Sequence, residues 1–377
     1  MNLVDIQLQL NPLFPTGNDP NSWWTYLIWI LPTFIIMMYF QRIQMWMVSR
    51  DVARSVTKLK VMREQGRKEA LEYAKSISPN VDQTERVDRF LEYFTIMPVD
   101  MDPSGIMKKL QHIMRIRDDR VKAEVKAMAP NMDIISASKM ENILEAATIL
   151  HLIYKVVRHF YLMGKKTSSM FFIIQLQMIM PILLQEAEAL TKAIGTFKAG
   201  QPIGDGIGPM IVGKMMLNKE KKTVAKETVV SEDQYSGRTL YLMKAEGPAG
   251  SVGEPGTAVE KLIDDMGVKI NSVIMIDAAL KLEGEKTGEL AEGVGAAIGG
   301  IGVDRFQIEE VATKHGIPVY AIIVKQSVLD AITVMKKEIA ESIEKVSKSV
   351  FNVIDERTKE GDSVLIIGVG NTLGVAQ

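Results

Sequence analysis

The run Trp23–Phe40, WWTYLIWILPTFIIMMYF, contains no charged residue. About 20 such residues in a helix cross the hydrocarbon core of a bilayer. This stretch constrains the chain more than any other and predicts a single transmembrane helix over residues 22–41. Trp23, Trp24 and Tyr26 stand at one end, with Tyr39 and Trp46 near the other, as in the aromatic belts of membrane interfaces. Pro32 falls mid-span, where a kink is tolerated in a membrane helix. A cleaved signal peptide fits less well. Residues 1–21 carry Asp5 and Asp19 but no Lys or Arg, and no small-residue cleavage site follows Phe40. Arg42, Arg50, Arg54, Lys58, Lys60 and Arg63 come next, and the positive-inside rule puts that flank in the cytoplasm. The expected topology is a short extracytoplasmic segment (1–21), one span, and a cytoplasmic body at the cell membrane.

The chain has 377 residues, too many for one typical domain. Its net charge of −1 gives nucleic-acid binding no support from composition. The absence of cysteine excludes disulfides, thiolate metal sites and cysteine nucleophiles. The 24 methionines, many in apolar helical stretches, read as core filler.

Residues 42–199 read as a helical cytoplasmic region, because apolar residues recur there at helical spacing and β-branched runs are few. A basic helix, Asp51–Ala74, leaves the membrane as a solvated stalk that attracts anionic headgroups. Pro79, Pro98, Pro103 and Pro130 punctuate the stretch after the stalk, and longer helices are expected over 138–163 and 168–196. Met170–Leu184 is an alternative second span. Gln175, Gln177 and Pro181 within it, and its length of about 15 residues, favour a buried helix. His112, His151 and His159 lie in these helices. The eight-residue spacing of His151 and His159 does not match the i, i+3 or i, i+4 spacing of a helical metal pair, so they read as ordinary helix residues.

From Gly200 the texture changes to short β-rich runs alternating with helical ones. Strands are expected at 240–244, 272–277, 319–324 and 363–368, with a weaker one near 228–231. Helices are expected at 209–217, 257–266, 304–314 and 327–357. This alternation implies a mostly parallel sheet covered by helices. The fold class is α+α/β: one N-terminal transmembrane helix, a helical middle, and a C-terminal α/β domain over residues 200–377. Chemistry in such sheets gathers beyond the carboxyl ends of the strands. There the sequence places Gly204-Asp205-Gly206-Ile207-Gly208-Pro209, Asp277, Gly368-Val369-Gly370-Asn371, and the glycine-rich loop 293–302. Neither glycine motif is a nucleotide loop. The seven residues after Gly370 leave no room for the required helix, and no Lys-Ser/Thr follows GDGIGP.

These blocks resemble the germination-protease and hydrogenase-maturation-protease superfamily. Gly368–Asn371 matches its G-x-G-N strand end, Asp205–Pro209 its D-x-x-G-P helix start, and Ile276-Asp277-Ala278 its I-D-A strand end. Residues 316–322, followed by 328–332, match its G-I-P-V-x-A-I and V-x-D-A-I segments. The G-x-G-N strand comes last instead of preceding GDGIGP, as in a circular permutation. The whole chain, anchor included, is similar to an uncharacterised archaeal membrane-protein family. The protease resemblance implies that Asp205 and Asp277 are the key acids. In the maturation branch, matching carboxylates bind a metal together with a histidine. No histidine lies in the matching blocks here, and the nearest, His315, starts a strand at the far end of the sheet. A divalent metal therefore lacks a histidine ligand, and no cofactor is predicted.

Two carboxyls in contact cannot both ionise freely, so the pair can act as acid and base on a water. The expected function is peptide hydrolysis by Asp205 and Asp277, with Asn371 and the backbone of Gly204, Gly206, Gly208 and Gly370 as oxyanion donors or cradle. The alternative is a membrane-tethered scaffold or assembly factor that uses the same domain for binding, with Asp205 capping a helix and Asp277 holding the glycine loop. Glu283, Glu285 and Glu289 read as a solvated loop. Expected partners are the lipid bilayer and a protein or peptide, with a second copy of the chain as a further candidate.

Overall fold

A computed structural model describes residues 23–92, 106–300 and 302–375, without the side chains of residues 23–29 and Gln41. The expected segment 1–21 and the prolines Pro98 and Pro103 lie outside the described residues. The chain forms two compact units. One comprises Met1–Lys58 with Val156–Pro181, the other Leu59–Lys155 with Ile182–Gln377.

The apolar run and the basic stalk belong to one helix, α1 (Trp23–Ile77), with Pro32 inside it. Helices α2 (Thr84–Leu91), α3 (Ile106–Met128), α4 (Ile134–Thr167) and α5 (Met170–Ala199) come after it. Within the second unit Arg67 clasps Asp88 through two bonds of 2.5 and 2.7 Å, and Gln83 Nε2 donates to the Met128 carbonyl at 2.7 Å. His151 is buried between Arg63 (3.1 Å) and Glu92 (2.9 Å), and His159 sits edge-on to Phe160. His151 is thus part of a polar network, and His159 is exposed.

Helix α5 differs from expectation. It is long and apolar enough to cross a membrane, and only 22% of its most apolar window is buried. Ile173, Leu176 and Met180 face inward, while Phe171 and Met178 are 64% and 75% exposed. Apolar residues on both sides of a helix leave one side uncovered by protein, so the sequence reading of a buried helix does not hold here. On α1, Ile30, Phe34, Met37 and Phe40 are likewise exposed.

After Gly200 a seven-stranded sheet forms, in the order β1-β2-β3-β7-β4-β6-β5. Its strands are β1 (Lys222–Ala225), β2 (Thr228–Tyr235), β3 (Arg238–Ala245), β4 (Ser272–Leu280), β5 (Leu290–Val294), β6 (Val319–Gln326) and β7 (Ser363–Gly368). The central neighbours β3-β7-β4-β6 are parallel; β1, β2 and β5 pair antiparallel at the edges. The sheet is mixed, correcting the mostly parallel expectation. A hairpin closed by Ser236-Gly237, both at positive φ, folds β2 back on β3. At the other edge, part of the glycine-rich loop is the strand β5.

Both faces are covered. The helix α6 (Ile207–Met215) and α10 (Lys337–Arg357) bury Ile211, Val212, Val346 and Val350 against Leu242, Ile274 and Ile366. On the other face α7 (Pro255–Glu260) and α8 (Val303–His315) bury Val259, Ile308 and Val311 against Met243, Met275 and Ile367. Alternate residues of β4 and β7 thus feed two cores, which is why both strands are apolar throughout. The helix expected over 327–357 is two: α9 (Val328–Ile332) and α10, parted where Val334 bridges to Ile203. The Ser327 capping box, with Asp330 at 3.1 Å, starts the first of them.

Candidate functional site

The sheet itself opens the site. Strand β7 pairs with β4 only as far as Gly368 opposite Ile276, whereas β4 continues beside β6 to Leu280. Asp277 is the first β4 residue past the point where β7 leaves. The chain then turns at Val369, whose N–H donates to the Ile276 carbonyl at 2.8 Å. Into this notch comes the Gly204–Gly206 turn that begins α6. A Cβ on Gly208 would lie 2.3 Å from the Val369 carbonyl oxygen and 2.5 Å from that of Ile276. Gly370, at φ +133°, lets its backbone pass directly over Asp205, where a Cβ would be 2.0 Å from the Asp205 carbonyl oxygen. The glycines of both blocks are therefore explained by backbone-to-backbone contact, which seats Asp205 beyond the carboxyl end of β7, beside the part of β4 that runs on past it.

Asp205 and Asp277 line one cavity of about 480 Å³. Asp277 is 6% exposed; its Oδ1 accepts from the Ala278 N–H at 2.7 Å, and the Gly299 N–H donates to the same carboxyl. Burial, reinforced by the Asp205 charge, pushes its pKa up to about 8, against the pull of those two N–H groups. Asp205 Oδ2 accepts from the Asn371 N–H at 2.8 Å, and burial raises its pKa too. Both carboxyls are thus pushed toward the protonated form, and the Asp205 charge pushes Asp277 further.

Several residues expected as a cradle are engaged by the chain itself. The Gly204 N–H donates to the Thr333 carbonyl (3.3 Å) and the Gly206 N–H to that of Ile203 (3.0 Å). Asn371 donates through Nδ2 to the Gly250 carbonyl and accepts through Oδ1 from the Leu373 N–H. Its part is to fix the β7 turn and orient Asp205. Asp205 does not cap α6, whose start lacks a side-chain cap. Gly370, Gly299 and Gly300 line the cavity. His315 bonds Asp264 at 2.6 Å, and Glu285 caps the Leu282 N–H and pairs with Lys325.

Sequence reading missed four further residues of the cavity wall. Glu254 precedes α7 and receives Arg115 through bonds of 2.6 and 3.2 Å. Asp304, in the first turn of α8, accepts from the Gly256 N–H at 2.9 Å, and burial raises its pKa. Arg115 and Asp118 come from α3, so the helical region closes one side of the cavity. The signal was there: both G-E-P-G and G-V-D place an acid after a glycine at a helix start, as in G-D-G-I-G-P. Ion pairs Lys122–Glu227 and Lys226–Asp119 hold α3 to the sheet domain. Among the described residues no group of three or more His, Asp or Glu side chains is arranged to hold a metal ion.

Two family models match consecutive parts of the chain. The N-terminal domain of a protein of unknown function (DUF1512) matches residues 26–200, and the DUF1512 C-terminal domain matches residues 203–376. The chain belongs to the DUF1512 family. No curated protein and no solved structure matches it. The domain boundary falls between Arg115 and Asp118, on one side, and Asp205 and Asp277, on the other, so residues from both DUF1512 domains line the cavity.

Proposed function

We propose that this DUF1512 protein is a membrane-anchored hydrolase that cleaves peptide bonds with the Asp205–Asp277 pair. The observation that carries the reading is one cavity receiving two carboxyls from different elements, both with pKa raised by burial, Asp277 further by the Asp205 charge. Asp205 as the carboxylate takes a proton from water, whose oxygen adds to the amide carbonyl carbon. Protonated Asp277 stabilises the carbonyl oxygen by a hydrogen bond, and the proton held by the pair goes to the leaving nitrogen. Water is consumed, the C–N bond breaks, and the pair regains its starting charge.

The permuted germination-protease reading is supported by the chain path. Strand β7 lies centrally between β3 and β4, its turn meets the GDGIGP segment, and a Cβ on Gly374 would touch Pro202 and the Gly200 carbonyl. Start and end of the domain therefore abut, and joining them would put the G-x-G-N strand directly before GDGIGP. Support for the anchor comes from the exposed apolar residues of α1 between Ile30 and Met47, followed by arginines.

The test is hydrolysis of a mixed fluorogenic peptide library by the detergent-solubilised full chain between pH 4 and 9. Activity is expected to fall above about pH 8 as Asp277 loses its proton. Asp205→Asn and Asp277→Asn should each lower it by about 100-fold with the fold intact. A folded chain that cleaves nothing, or variants that cleave as well as the parent, would leave the second reading, a membrane-tethered scaffold. That reading is favoured by the Ala278 and Gly299 N–H groups on Asp277, which use the carboxyl as a loop fastener.

A further inference from the structure

We infer that the unit of Met1–Lys58 and Val156–Pro181 carries a site for the phosphate of an anionic lipid headgroup, in the cavity between α1 and the tip of the α4–α5 hairpin. This cavity, about 900 Å³, is lined by Arg42, Trp46 and Arg50 of α1 and by Tyr161, Lys165 and Ser168 of the hairpin. Its charge is one-sided. Residues 156–181 contain no Asp or Glu, and the one acid in 30–58, Asp51, is turned to Arg54 at 3.4 Å. Each lining cation lies over an aromatic ring instead: Arg50 over Trp46 at 5.3 Å, Lys165 over Tyr161 at 5.7 Å, and Arg42 over Tyr39 at 6.0 Å. Cation–π contact positions a cation without neutralising it, so three positive charges remain for an anion.

The surroundings choose a lipid over a soluble anion. Phe40, Ile43 and Met47 on α1 and Phe171, Ile174 and Met178 on α5 are exposed within a few turns of the cavity. Lys/Arg with Trp and Tyr, bordering exposed apolar side chains, is the composition of a protein at headgroup depth. A lipid phosphate uses both features: its charge meets the cations and its chains run along the apolar side chains, which a free phosphate would leave in water. Ser168 adds a hydroxyl at the start of α5, where the helix dipole also favours an anion.

This inference rests on the membrane reading but not on catalysis. It is tested by native mass spectrometry of the full chain from detergent micelles carrying phosphatidylglycerol or phosphatidylcholine. The parent should prefer the anionic lipid by about 30- to 150-fold, at about 1 kcal/mol for each of two or three cations at the interface. Arg50→Gln with Lys165→Gln should bring the two lipids near parity. Arg158→Gln with Lys166→Gln removes the same charge from residues that do not line the cavity and should leave the preference intact. Equal binding of both lipids by the parent overturns the site, as does an equal loss in the control pair, which would mark a diffuse surface potential. Displacement of phosphatidylglycerol by millimolar inorganic phosphate would assign the cavity to a free anion and overturn the lipid. A chain that stays monomeric in solution without detergent would remove the anchor as well.

Discussion

The two cavities are built on opposite principles. Around Asp205 and Asp277 the backbone does the work: glycines at 208, 368 and 370 let strand ends and a helix start touch, and the carboxyls are held by N–H groups of Asn371, Ala278 and Gly299. Around Arg50 and Lys165 only side chains meet, on helices whose outer surfaces are apolar and exposed. The first arrangement cannot relax around a change; the second can. Rigid backbone is what a proton-sharing pair needs, because its pKa values depend on separation and burial. A headgroup, which is itself mobile, asks only for charge at the right depth.

The largest effect that would break this contrast is at Gly208. A methyl there meets two backbone oxygens at 2.3 and 2.5 Å, so Gly208→Ala should cost about 3 kcal/mol in a denaturant melt. Tolerance would show that the strand ends can move apart. Next comes Asp277→Asn. The folded pKa lies above the unfolded one, so the native state binds more protons between about pH 4 and pH 8, and its stability falls as pH rises through that window. The slope contributed is at most about 1.4 kcal/mol per pH unit. The Asn variant should lack this slope and melt higher than the parent at pH 8, while losing activity. A variant that melts lower at every pH marks Asp277 as a loop fastener. In the other unit Met178→Ala, at a 75% exposed position, should leave the melt within about 0.5 kcal/mol and reduce detergent binding instead.

Much of the α/β domain was legible because local pattern and final place agree. Val364–Ile367 is apolar on both faces because it feeds two cores, and Asp205 and Asp277 are marked by glycine spacing and by position after an apolar run. Strand direction was not legible, since antiparallel and parallel edges share a period of two. Leu290–Val294, with an exposed glutamate and glycine, has no strand signature and is a strand only because β6 offers an edge. The Lys336-Lys337-Glu338 pattern runs straight through the break between α9 and α10, which is set by the bridge from Val334 to Ile203. Arg115, Glu254 and Asp304 meet from three distant elements, a property of the tertiary fold alone. The exposure of Phe171 and Met178 was hidden for the same reason: composition shows that a helix is apolar, and only packing shows what covers it.

A second titrating acid sharpens the comparison from within the rigid unit. Glu141, on α4, is raised to about 7 by burial, helped by Glu227, Glu145 and Asp118 and opposed by Lys122. It lies where α3, α4 and the sheet domain come together, held by the Lys122–Glu227 pair rather than by backbone N–H groups. Its folded pKa also exceeds the unfolded value near 4.5, so its share of stability is lost as pH rises from about 4.5 to 7 and is constant above. Glu141→Gln should therefore match the parent at pH 4.5 and melt higher at pH 8 by about 1 kcal/mol, discounted for partial exposure. The pH window separates the two acids, because the Asp277 slope runs on to about 8 after the Glu141 slope has ended. Melts of both variants between pH 7 and 8 isolate the Asp277 contribution. If Glu141→Gln removes the slope in that last interval, the protonated carboxyl belongs to the helical seam and the cavity pair is ionised, which would take the acid from the proposed hydrolase.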